Sequence, residues 1–164
     1  MNDNIGFMAG ADVYRLGPEA DVALFFDAIN LLVIPKCPGR RWSVITDRLY
    51  KRYVAEQDLP EAQELMNVAQ DVLMREPAVQ LARLQNAAMS SIDTTGPGTV
   101  ADVFRSFFEK FGHAVDSAQS FNARWGEYVP LKIGHAGVPD FITDRDRPEE
   151  SYDTLTGPPF WVSN

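Results

Sequence analysis

The sequence predicts a single-domain α+β fold, with several amphipathic helices packed against a small, mainly antiparallel sheet. Three observations carry the prediction. Apolar residues recur at spacings of three and four in well-separated stretches, the signature of helices with one buried face. Short β-branched and aromatic runs stand near the beginning and late in the chain, bounded by glycine and proline. The length of 164 residues, with 45% hydrophobic and 23% charged side chains, suits one self-sufficient core rather than a disordered chain.

Ile5 to Leu16 reads as a strand, with Gly6 and Gly10 marking a bulge. Gly17-Pro18 ends it, and proline at a first helical position has its φ preset and needs no amide donor there. Val22, Phe25, Phe26, Ile29, Leu32 and Val33 then form a helical stripe, closed by Pro35 and Pro38-Gly39. Residues 40–46 read as a short extended piece or the lead into a helix, and Leu49, Tyr50 and Tyr53 fit a helical face in an ambiguous stretch. Asp58-Leu59-Pro60 is a helix start, followed by Ala62, Leu65, Ala69, Val72 and Leu73 on one face.

A weaker helical pattern runs from Pro77 through Leu81, Leu84 and Ala88, and 94–98 is a loop. Thr99 with Asp102 is close to a capping box. It opens a helix whose stripe holds Val100, Val103, Phe104, Phe107, Phe108, Phe111, Ala114, Val115 and Ala118. Four phenylalanines on one stripe make this the expected centre of the core. Tyr128 to Ile133 reads as a strand, and Pro130 places it near a sheet edge. The resulting division is an α+β domain over 1–133 and an irregular acidic tail over 134–164, packed on the same domain.

Composition narrows the chemistry. Cys37 is the sole cysteine, so no intrachain disulfide forms and a cysteine-based metal site is not credible. The two histidines, His113 and His135, leave little imidazole chemistry, and no phosphate-binding loop, dinucleotide fingerprint, zinc-protease motif or nucleophile elbow is present. No cofactor or metal is expected. A net charge of −8 repels phosphate backbones, so nucleic acid is not an expected partner. No apolar run reaches the ~20 residues that cross a bilayer, and the N-terminus lacks a signal-peptide pattern, so the expected setting is cytoplasmic without membrane contact.

The charge is unevenly placed. Lys36, Arg40, Arg41, Arg48, Lys51 and Arg52 cluster between Pro35 and Val54, whereas Asp140, Asp144, Asp146, Glu149, Glu150 and Asp153 crowd a later segment. These two groups either pair inside the fold or leave an acidic face for a basic partner. Tyr152, Phe160 and Trp161 beside the acids supply the aromatic and charged mixture that interfaces favour.

The order Ile5-Gly6-Phe7, Tyr14-Arg15-Leu16-Gly17, Phe25-Phe26, Ile29, Gly39-Arg40-Arg41-Trp42, Leu49-Tyr50, Ala62, Leu65, Phe107-Phe108 and Gly112 resembles a family of bacterial immunity proteins. These are encoded beside polymorphic toxins and include the immunity partners of contact-dependent growth inhibition toxins. The resemblance runs over residues 5 to 118, by pattern rather than by long identity, and does not extend to the tail. It implies a cytoplasmic, non-enzymatic protein that binds the C-terminal domain of one cognate toxin, often a basic nuclease, and blocks it as in other toxin–antitoxin pairs. On charge, the expected toxin contacts are Asp140, Asp144, Asp146, Glu149, Glu150 and Asp153, with Tyr152 and Trp161 as aromatic anchors. Two other readings compete: an acidic binding or scaffold module for a different basic protein, and a small enzyme using Cys37 or the carboxylates of 140–153.

Overall fold

The computed structural model describes residues 5–9, 12–125, 131–136, 159 and 161. Its sheet has four antiparallel strands in the order β2-β1-β4-β3. They are β1 (Ile5–Ala9), β2 (Asp12–Gly17), β3 (Tyr53–Val54) and β4 (Leu131–His135). The helices are α1 (Glu19–Ala28), α2 (Leu59–Leu73), α3 (Val100–Val103) and α4 (Arg105–Trp125). Among the described residues, no helix is long and apolar enough to cross a membrane.

The first apolar run is a hairpin rather than one strand, with Phe7 opposite Tyr14 and Met8 opposite Val13. Alternation of side chains survives a tight reversal, so the pattern does not show where the chain folds back. The register slips between Ile5 and Gly6. A Cβ on Gly6 would stand 2.6 Å from the Tyr14 carbonyl oxygen, so only glycine allows that approach.

β4 is an interior strand, pairing Phe7 with Ile133 on one side and Val54 with Leu131 on the other. The expected edge position rested on Pro130, which lies outside the described residues. Within the described residues the strand runs from Leu131 to His135. β4 also continues through Gly134 and His135, two residues into what the sequence assigns to the tail.

α1 starts just after Pro18, which sits in extended conformation as the N-cap rather than as the first helical residue. Its stripe is buried as expected at Val22, Phe25, Phe26, Ile29 and Val33. Beyond Ala28 the helix relaxes into a π-helical turn over Ile29–Val33 and a 3-10 turn over Ile34–Lys36, where Pro35 ends it. A second π-helical segment covers Val44–Leu49, so residues 40–46 lead into a helix. Tyr53, expected on that helix, belongs to β3. The weak pattern after Pro77 resolves into 3-10 turns at Ala78–Arg83 and Ala87–Met89, which still bury Leu81 and Leu84.

The capping box at Thr99 is present, with the Asp102 amide donating to Thr99 Oγ1 and the Thr99 amide to the Asp102 carboxylate. The phenylalanine stripe spans two helices, because Phe104 leaves helical geometry between α3 and α4. The stripe stays continuous across the break, which is why periodicity does not reveal it. Phe25 is the hub of the core. Its ring centroid lies 5.3 Å from Phe26, 5.1 Å from Phe104, 5.0 Å from Phe107 and 5.3 Å from Phe108. Such ring pairs contribute about 0.5–1.5 kcal/mol each beyond area burial. α4 lies along β1 and β2, where Phe111 meets Phe7 edge-on, Lys110 donates to the Arg15 carbonyl, and Ser117 bonds both Tyr14 and Asp12.

Candidate functional site

Most cations of the 36–52 cluster find acidic partners close at hand. Lys36 pairs with Glu76, Arg40 with Glu64, and Lys51 approaches Asp47. Arg41 reaches both Asp58 and Glu61, at 2.7 and 2.6 Å. Arg48 Nη1 donates to Asp58 Oδ2 at 2.6 Å, and this pair is buried on both sides. Glu61, ahead of Asp58, holds the Arg41 guanidinium pKa above its ordinary value, against desolvation that works to lower it. The fold places this pairing by bringing the π-helical segment Val44–Leu49 against the start of α2.

α1 carries a second set of carboxylates. Asp21, buried in the first turn, accepts from Ser90 Oγ, the Ser91 amide and Ser91 Oγ at 2.7–2.8 Å. Asp27 Oδ2, two turns on, accepts from Asn86 Nδ2 at 2.6 Å. Together they clasp segment 86–91 onto the helix. These contacts are invisible in the sequence, because serine and asparagine in a loop show no period.

Of the residues expected to meet a toxin, Asp140, Asp144, Asp146, Glu149, Glu150, Tyr152 and Asp153 lie outside the described residues. Trp161 is described, and its indole faces inward. It is 2% exposed, donates from Nε1 to the Tyr50 carbonyl at 2.6 Å, and meets the Tyr50 ring edge-on. The side chain is spent on the chain's own core and has almost no surface to offer a partner. Tyr50 continues the aromatic row, its ring centroid 4.4 Å from Phe26. Burial, and then the charge of Asp27, push the Tyr50 phenol above its ordinary range.

His135, read from sequence as a loop residue, stands opposite Ile5 at the end of β4. Its Nε2 lies 2.8 Å from the Trp161 carbonyl oxygen. The chain thus leaves the sheet and returns to it at one place, and the acidic segment falls between these two ends. His113 is exposed on α4 and stacks on Tyr14 at 6.2 Å. Cys37 is half-buried against the core, and its carbonyl accepts from the Trp42 indole. Among the described residues, no group of three or more His, Cys, Asp or Glu side chains is arranged to hold a metal ion. No protein-family model, curated protein or solved structure matches the chain.

Proposed function

We propose that the chain is an immunity protein that binds a cognate toxin domain, a basic nuclease, and blocks it by steric and electrostatic occlusion. The observation that carries this reading is where the charge goes. Lys36, Arg40, Arg41, Arg48 and Lys51 each have an acidic partner within residues 47–76. The segment 140–153 holds six acids against two arginines, which is half of the chain's net −8. A nuclease groove must be basic to hold phosphate, so a concentrated anionic segment suits it, and complementary fields accelerate encounter. Asp140, Asp144, Asp146, Glu149, Glu150 and Asp153 supply the anionic contacts and Tyr152 an aromatic one. His135 and Trp161, which flank the segment in sequence, meet at the end of β4. The protein works in the cytoplasm, where the toxin's substrate is.

The resemblance over residues 5 to 118 supports the same reading. The test is calorimetry against the polypeptide encoded immediately upstream, at two salt concentrations. Nanomolar or tighter binding that weakens with salt is expected. Tight binding indifferent to salt moves the interface to apolar residues, and no binding removes the immunity reading.

A further inference from the structure

We propose that two copies of the chain pair through their β2 strands, joining two four-stranded sheets into one, with Lys110 of each protomer beside the partner's Asp116. This goes beyond the immunity reading and does not depend on it.

β2 stands at one end of the sheet and has six residues, against two in β3 at the other end. Asp12, Val13 and Arg15 are exposed, Val13 by 39%. Side chains alternate along the strand, Tyr14 toward α4, where it bonds Ser117, and Val13 and Arg15 toward the other face. The amides and carbonyls of an antiparallel strand alternate likewise between its two edges. Lys110 Nζ, on α4, reaches the Arg15 carbonyl, which sets the polar backbone groups of Arg15 on the open edge. Val13, two residues away, shares that direction. Among the described residues, no further strand takes these groups. An open strand edge of this kind is a template for pairing with another chain.

A second copy fits that edge in backbone, in spacing and in charge. An antiparallel pairing about a two-fold axis at Tyr14 sets Val13 opposite the partner's Arg15 and Arg15 opposite the partner's Val13, so the outward groups of both residues are used. α4 lies across β1 and β2, touching Phe7 through Phe111 and both Tyr14 and Asp12 through Ser117. Strands stand about 4.8 Å apart, so a helix seated between β1 and β2 lies roughly two spacings, about 10 Å, from its mate. Helices pack at roughly that distance. The charges agree with the same axis. His113 stacks on Tyr14, so the axis crosses α4 near His113, and Lys110 and Asp116, three residues to either side, come face to face across it. Asp116 is exposed, and among the described residues nothing bonds its carboxylate. With Asp12, Ser117, Ser120, Phe121 and Arg124 it lines a cavity of about 290 Å³, whose mouth the partner's Lys110 would reach. Lys110 has three N–H donors and uses one of them on Arg15.

Sedimentation equilibrium of the full chain is the test, and a concentration-dependent equilibrium between monomer and dimer is expected. Val13→Pro removes the outward amide and leaves β1 its own bonds, a change that an edge strand tolerates. One ladder donor is then lost from each protomer, so the dimer weakens by about tenfold or more. Lys110→Glu and Asp116→Lys each set like charges against each other across the axis and weaken it as well. An equimolar mixture of these two variants restores opposite charges and recovers the association of the wild type. The mixture decides the matter even if Val13→Pro fails to fold. A wild type that stays monomeric at millimolar concentration overturns the proposal and leaves the edge to a strand of another protein. A dimer indifferent to Val13→Pro, or charge variants that do not recover on mixing, overturns it too. Binding of the upstream polypeptide is a separate measurement, so the immunity reading stands or falls independently of these outcomes.

Discussion

Asp21 and Asp58 stand at the starts of α1 and α2, both buried, and the fold compensates them in opposite ways. Asp58 is met by charged donors, the guanidinia of Arg41 and Arg48. Asp21 is met by neutral ones, two serine hydroxyls and a backbone amide. A buried carboxylate must replace the hydrogen bonds it had in water, and either set of donors does so. The consequences differ. Around Asp58 removal of one partner strands another charge, whereas around Asp21 it leaves only dipoles unmatched.

The largest expected effect follows from that asymmetry. Asp58→Ala leaves Arg48 in the core without this counter-charge and should cost about 3–5 kcal/mol in urea unfolding. The double variant Arg48→Met/Asp58→Leu should recover most of this loss, since well-packed apolar pairs replace buried ion pairs at little cost. If the double variant is as unstable as the single one, the stranded-charge account of Asp58 is wrong. Asp21→Ala should cost less, about 1–3 kcal/mol, because Ser90 and Ser91 stay close to solvent and water takes over part of their bonding. Its signature is faster hydrogen exchange over 86–92, where the clasp is released, with α1 itself unaffected.

Asp102 sharpens the comparison, because on an exposed surface it takes neutral donors from Thr99, as Asp21 does from its serines, and a charged one from Arg105. The Thr99 amide and hydroxyl, and then Arg105, hold its carboxyl below the ordinary aspartate value of 3.8. A depressed folded value stabilises the protein above the unfolded value, and that contribution fades as the pH falls through the folded one. Thr99→Ala should therefore cost about 1 kcal/mol at neutral pH, with a smaller penalty in strong acid. A penalty independent of pH would detach the cap from the Asp102 charge.

Tyr50 gives the smallest and opposite effect. Its raised phenol stabilises the fold below the ordinary value of 10.0, and this is lost as the pH rises through the folded value. Absorbance titration should show a tyrosine ionising above the ordinary value of 10.0, and Tyr50→Phe should remove that late step.

Legibility in the sequence followed the range of the interactions. Helices with an apolar stripe, the Thr99 cap, the start of α2 at Asp58 and the single α+β domain are local features, written in spacings of three and four and in the residues that punctuate them. What depended on which segments meet was not legible. The hairpin of β1 and β2, the interior place of β4, the break at Phe104 and the π-helical turns all leave the apolar pattern almost unchanged.

The candidate site divides the same way. Charge density in 140–153 is a property of composition and could be read directly. That Trp161 turns into the core and that His135 reaches its carbonyl depend on contacts across as many as 111 positions of chain. The sequence alone determined which faces must be buried, because the hydrophobic effect acts on each helix or strand separately. Tertiary structure decided what they are buried against and which polar groups are left with open bonds, since those outcomes rest on pairs brought together only by folding.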